Sequence, residues 1–141
     1  MKIYFAGSIR GGREKQNDYF ELIEYCKNFG DVLTEHVGSN AVDNIGEHKS
    51  DKHIYLRDVN WIKDADVIIA DITIASLGVG YELGFAESLN KNILCVYDAR
   101  TNKNISAMLV GNDRICCMEY RDLDEAKEII FSFLKLKYSH L

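Results

Sequence analysis

The sequence contains no proline, which leaves its turns to Gly, Asn and Asp. It also lacks any excess of positive charge: 17 Lys and Arg stand against 22 Asp and Glu, for a formal charge of −5. A nucleic-acid polymer is therefore not expected as a partner, because such proteins carry a basic face. A small anion stays open, since one or two arginines and helix-end amides suffice to hold it. Cysteine is scarce and patternless. Cys26, Cys95, Cys116 and Cys117 contain no C-x-x-C pair and no usual zinc spacing, and three of them fall in apolar runs. His48 and His53 stand five apart, the wrong step for a helical ligand pair, so neither metal nor cofactor is expected. No apolar run reaches membrane-spanning length, and residues 1–12 lack the core of a signal peptide. The expected location is the cytoplasm, or the nucleus, with no membrane partner. Repeats, low-complexity stretches and linkers are absent, and the 141 residues read as one domain.

What is present is an alternation of short apolar runs with amphipathic stretches. Ile3 to Ala6 form a buried strand that ends in Gly7. From Glu14 to Phe29, Tyr19, Leu22, Ile23, Cys26 and Phe29 recur at helical spacing, and Gly30 stops the helix. Val32-Leu33 suggests a second strand, and residues 38–51 a polar loop. A second helix is expected from about Lys52 to Asp64, then a strand at Val67–Ala70, a third helix starting near Gly80, and strands at Ile93–Tyr97 and Ile115–Met118. Leu123, Ala126, Ile129, Ile130, Phe133 and Leu134 mark a last amphipathic helix. Strands that are apolar throughout, separated by helices, predict a doubly wound, Rossmann- or flavodoxin-like α/β domain. Its five-stranded parallel sheet carries helices on both faces. In such folds ligands bind beyond the carboxyl ends of the strands. That singles out three loops: Gly7–Arg13, Asp71–Gly80 and Asp98–Ser106.

The first loop, Gly7-Ser8-Ile9-Arg10-Gly11-Gly12-Arg13, combines backbone amides freed by glycine with a hydroxyl and a guanidinium fork. It reads either as an anion cradle or as a plain strand-to-helix turn, and it is not a Walker loop. Asp58 falls on the stripe of Ile54, Trp61 and Ala65. Desolvation there raises a carboxyl pKa, which suits a proton donor, but an Asp simply paired with Arg57 or a backbone amide fits as well. Glu82 falls in the expected first turn of the third helix, where the dipole favours its ionised form. It is either a helix-starting acid or a nucleophile. Gly78, Gly80 and Gly84 hint at a dinucleotide fingerprint, although the third glycine is one residue late and Asp98 is a poor ribose partner. Cleaving a glycosidic bond needs one carboxylate to attack and one carboxylic acid to protonate the leaving group, the division expected of Glu82 and Asp58.

The segments YFAGSIRGGRE (4–14), VLTEHV (32–37), RDVNW (57–61), SLGVGYELG (76–84) and SAM (106–108) resemble the 2'-deoxynucleoside 5'-phosphate N-hydrolases, within the nucleoside 2-deoxyribosyltransferase superfamily. The likeness runs nearly the whole chain in order; the 38–51 loop is the part that does not align. It implies hydrolysis of a deoxynucleoside monophosphate to free base and 2-deoxyribose 5-phosphate. Glu82 would be the nucleophile that carries the deoxyribosyl group, Asp58 the acid for the departing base, and Tyr4 the hydroxyl that orients Glu82. Phosphate and sugar contacts would come from Gly7, Ser8, Ile9, Arg10, Gly11, Gly12, Arg13, Ser76 and Gly78. Ser106 and Met108 would reach the neighbouring subunit's site in a homodimer with composite sites. The base would lie against Ile9 and Leu22, near His36. Transferases acting on unphosphorylated nucleosides carry an acid six residues before the nucleophile; this chain has Ser76, which can donate to a phosphate where an acid would repel it. Asp71 stands where a relative has Glu, and its place after a strand suggests contact with the site. Base exchange between deoxynucleosides, and nucleotide binding without turnover, are the alternatives.

Overall fold

The computed structural model describes residues 1–9, 15–38 and 48–139. Five strands and five α-helices are found there: β1 (Lys2–Ala6), α1 (Gln16–Cys26), β2 (Asp31–Val32), α2 (Asp51–Asp64), β3 (Val67–Asp71), α3 (Leu77–Ser88), β4 (Asn92–Asp98), α4 (Ala107–Val110), β5 (Cys116–Tyr120) and α5 (Leu123–Lys137). All neighbours in the sheet are parallel, in the order β2-β1-β3-β4-β5. The expected doubly wound sheet is borne out. The chain steps outward from β1 to β2, then crosses back to lay β3, β4 and β5 on the other side. The crevice at the carboxyl ends of β1 and β3, where the chain leaves them toward opposite faces, is thus the topological switch point.

The two faces are separated by strand alternation. Ile3 and Phe5 of β1, Val67 and Ile69 of β3, and Leu94 and Val96 of β4 meet Tyr19, Leu22 and Ile23 of α1 and Ile130 and Leu134 of α5. The intervening residues Tyr4, Ala6, Ile68, Ala70, Ile93 and Cys95 meet Ile62 of α2 and Val79, Leu83 and Ala86 of α3. Tyr4 therefore faces α2 and α3 because its neighbours in sequence face the other way. β2 pairs for only two residues, but Leu33 N donates to Ile3 O and Phe5 N donates to the Thr34 hydroxyl at 2.7 Å, which satisfies the outer edge of β1 beside Tyr4.

Local signals set the ends of the site-bearing helices. Ser50 caps α2, accepting from His53 N at 3.2 Å, and Lys91 Nζ donates to the Lys63 and Ala65 carbonyls at its far end. Gly7 is required by packing, because a Cβ there would stand 2.9 Å from the Tyr19 ring. Among the described residues, no helix is long and apolar enough to cross a membrane.

Candidate active site

A cavity of about 280 Å³ opens at the switch point, between α2 and α3 and beside the carboxyl end of β1. Its wall brings together Gly7 and Ile9 from the loop after β1, Asp58 from α2, and Ser76 and Glu82 from the start of α3. Tyr4 stands behind it, 2% exposed, with its phenol hydrogen-bonded to Glu82. Burial and the Glu82 and Asp58 charges push the phenol far above its ordinary pKa, so it serves as a hydrogen-bond donor and not as an anion.

Asp58 answers to both expectations at once. It faces the cavity, and its Oδ1 accepts from Arg57 Nε at 2.8 Å, with Arg57 Nη2 at 2.7 Å. The guanidinium is itself held, 4.6 Å over the Trp61 ring and 3.4 Å from His36 Nε2. His36 thus reaches the cluster through Arg57, with its ring 5.7 Å from Trp61.

Glu82 departs from expectation. α3 begins at Leu77, and not near Gly80, because the Ser76 hydroxyl caps it by accepting from Val79 N at 3.3 Å. Glu82 then lies in the second turn, where the helix dipole has faded. Its carboxyl is pushed up to about 8, first by burial and next by the charge of Asp58; the Tyr4 hydrogen bond and Arg57 oppose this without cancelling it. Burial and the neighbouring Asp58 thus bias Glu82 toward its protonated form. The expected support for an ionised Glu82 from a helix start is therefore corrected, because α3 begins at Leu77 and Glu82 stands beyond its first turn.

Other expectations fall outside the cavity. Leu22 is fully buried in the α1–α5 core and has no access to a base. Asp71 lies on the opposite side of the sheet's end, its carboxylate accepting from Thr73 N at 2.9 Å and Tyr120 OH at 2.7 Å. Asp98, like it, is structural, paired with Lys15 at 2.7 Å and Arg100 at 2.9 Å. The segment from Asp98 to Ser106 thus does not line the cavity of its own chain. Ser106 caps the short α4, accepting from Met108 N at 3.3 Å, and Met108 is 81% exposed. Gly78 is in the exposed first turn of α3. Ser8 is buried between two wall residues, and its Oγ has no partner among the described residues, although its N–H donates to Tyr19 OH at 3.2 Å. Arg10, Gly11, Gly12 and Arg13 lie outside the described residues, as does most of the 38–51 loop.

Residues that sequence reasoning passed over complete the wall. Asp51, Tyr55 and Val59 extend along α2 beside Ile54, and Tyr81 stands opposite Tyr55 with ring centroids 6.4 Å apart. The signal was available for α2, because 51, 54, 55, 58, 59 and 62 form a single helical stripe.

The fold and the site together define an α/β domain with a pair of carboxyl groups at its switch point. The family model for nucleoside 2-deoxyribosyltransferase matches residues 3–125, and the chain belongs to this family. A 5-hydroxymethyl-dUMP N-hydrolase of Tetraodon nigroviridis is 41% identical over 137 residues, covering 94% of this chain and 96% of the relative. A putative 2'-deoxynucleoside 5'-phosphate N-hydrolase of Nematostella vectensis is also 41% identical, covering 94% and 92%. Among solved structures, the CMP N-glycosidase BcmB of Clostridium botulinum shares the fold, with a TM-score of 0.66 at 18% identity over 94% of this chain and 99% of its own. The resemblance read from the motifs is borne out, and these relatives act on N-glycosidic bonds by their names.

Proposed function

We propose that the chain hydrolyses the N-glycosidic bond of 2'-deoxynucleoside 5'-monophosphates, giving free base and 2-deoxyribose 5-phosphate. The observation that carries this reading is the pair Glu82 and Asp58 on one cavity wall, with Tyr4 bonded to Glu82. A Glu82 oxygen attacks C1' while the C1'–N bond breaks and its electron pair passes to the base, which takes a proton from Asp58. Asp58 then removes a proton from water, the water oxygen bonds C1', and the Glu82 ester bond breaks. The pair must enter this sequence with its proton on Asp58 and Glu82 ionised. The phenol of Tyr4 stabilises that Glu82 anion by donating to it. Loss of turnover in Glu82→Ala with nucleotide binding retained supports the role; near-normal turnover removes it.

The phosphate is taken by the first loop, with Ser8, Arg10 and the amides between Gly7 and Arg13, and by the hydroxyl of Ser76. Arg10→Ala weakens binding of monophosphates by about ten- to a hundredfold and leaves the matching nucleosides nearly unaffected. The chain works as a homodimer in which Ser106 and Met108 complete the partner's site. Support comes from the exposed apolar side chains on α3 and α4, where Leu77 is 96% and Met108 81% exposed. Products distinguish hydrolysis from base exchange: release of base and sugar phosphate without an added acceptor base is the hydrolase result.

A further inference from the structure

Arg57 precedes Asp58 on α2, and neighbours in sequence point about 100° apart around a helix, so their side chains do not meet by default. Here they do. Nε and Nη2 of Arg57 stand 2.8 Å and 2.7 Å from the same oxygen, Oδ1 of Asp58. The next turn of the helix supports the guanidinium in this pose: Trp61, four residues on, presents its ring 4.6 Å away. His36, from the turn at Glu35–Gly38, packs its ring on Trp61 at 5.7 Å. An arginine only donates, so His36 Nε2, 3.4 Å from Nη2, is the acceptor of that contact. Only 14% of the Arg57 side chain and 17% of that of Asp58 reach solvent, so salt and water screen the pair weakly.

The charge of Arg57 also acts beyond Asp58. It opposes the protonation of Glu82 that burial and Asp58 favour. Two carboxyl groups beside one fixed cation are electrically balanced when they hold a single proton between them, which is the state the hydrolytic sequence starts from. Without the cation, each carboxyl is left with the other as its charged neighbour, and a proton on both is favoured.

We propose that Arg57 is the positioning residue of this site: through Oδ1 it fixes the orientation of the Asp58 carboxyl, and it holds the carboxyl pair at one proton. This rests on the hydrolase reading above, in which Asp58 protonates the leaving base. The carboxyl cannot turn without losing two charge-assisted bonds. Among the described residues, the other titratable groups at the pair are Tyr4, bonded to Glu82, and His36, in contact with Arg57; Asp51, Tyr55 and Tyr81 line the same cavity.

The test is the pH profile of kcat/KM on a deoxynucleoside monophosphate, for wild type and Arg57→Gln. The acid limb reports an ionised Glu82 and the alkaline limb a proton on Asp58. Removing the cation makes both carboxyls harder to ionise, so both limbs move to higher pH, by about one pH unit or more. The substrate's own phosphate titrates alike with either enzyme and drops out of the comparison. At its own optimum the variant loses about ten- to a hundredfold in kcat with KM near wild type, and loses most on the poorest leaving bases. Arg57→Lys keeps the charge without the fork, so its limbs lie near those of wild type while its kcat stays low. A folded Arg57→Gln whose limbs do not move overturns the assignment, whatever its kcat, and leaves the hydrolase reading standing. If the glutamine variant does not fold, the lysine variant decides: a loss of kcat that grows as the base leaves less easily supports the proposal, and an equal loss for all bases overturns it. A wild type that cleaves no deoxynucleotide takes down both readings.

Discussion

Glu82→Gln should stabilise the folded protein, and more so at high pH. In the unfolded chain the carboxyl ionises at its ordinary 4.5, whereas in the folded site it is pushed up to about 8 by burial and then by Asp58. For a pKa raised on folding, the favourable contribution is fully present below the unfolded value and is lost as pH rises through the folded one. Between 4.5 and about 8 the folded state holds a proton that the unfolded state has released, so stability falls with pH across that window. At about 1.36 kcal/mol per unit, the loss is about 1 kcal/mol at pH 5 and about 4 kcal/mol at pH 8. Glutamine has the shape of the protonated acid, accepts the Tyr4 hydrogen bond and titrates nowhere, so it escapes the loss. Near 3 °C per kcal/mol for a chain of this size, the midpoint gained over wild type should grow by roughly 10 °C between pH 5 and pH 8. Thermal unfolding of both proteins at the two pH values, followed by circular dichroism, measures the difference directly. An equal gain at both pH values would refute the reasoning, because the carboxyl would then not be carrying a perturbed proton.

Asp58→Asn should slow turnover most for substrates whose base leaves poorly and least for bases that depart without protonation; an equal loss across a leaving-group series would make Asp58 a structural partner of Arg57. Tyr120→Phe removes the donor to buried Asp71 and should cost about 1–3 kcal/mol in urea unfolding. Its kcat should stay at the wild-type level, and a parallel loss of kcat would tie that network to the chemistry. Mixing Glu82→Ala with a disabled Ser106 variant should restore activity toward half of wild type if Ser106 crosses the interface, since one site of each heterodimer then carries neither defect. No recovery, with subunit exchange confirmed, returns Ser106 to its role as the cap of α4.

The order of strands and helices was legible because parallel strands buried on both faces leave continuous apolar runs, and β3 and β4 show them plainly. The cavity's place followed from the switch-point rule, and the pairing of Tyr4 with Glu82 from the motif resemblance. The start of α3 was not legible. Gly78 and Gly80 read as turn, yet Ser76 nucleates the helix ahead of them through its cap, and the three-residue shift carried Glu82 out of the reach of the dipole. Leu22 and Asp71 were misplaced for a different reason. Helical period and strand end locate a residue along an element, while the face it takes depends on which side the connection crosses.

The acids Asp71, Asp98 and Glu82 separate into two kinds, and the separation argues for where the chemistry lies. Asp98 has Lys15 and Arg100 against it, which hold its carboxyl well below the usual carboxylate range. Asp71 is raised by burial, but Thr73 and Tyr120 donate to its two oxygens, and it is not part of the wall that Glu82 and Asp58 share. Both belong to a network that ties the ends of β3, β4 and β5 to the start of α1, the work expected of satisfied buried polar groups. Glu82 shares with Asp71 a tyrosine donor and a raised pKa, but differs in its surroundings. It faces a cavity, its near neighbour is another carboxylate, and the phenol that donates to it leaves its carboxyl near 8. Asp71 and Asp98 have their oxygens engaged within the protein, whereas Glu82 stands beside Asp58 on the wall of a cavity, where a ligand can reach it. The ionised form that attacks a sugar carbon is the one burial disfavours, and forming the ester removes that charge.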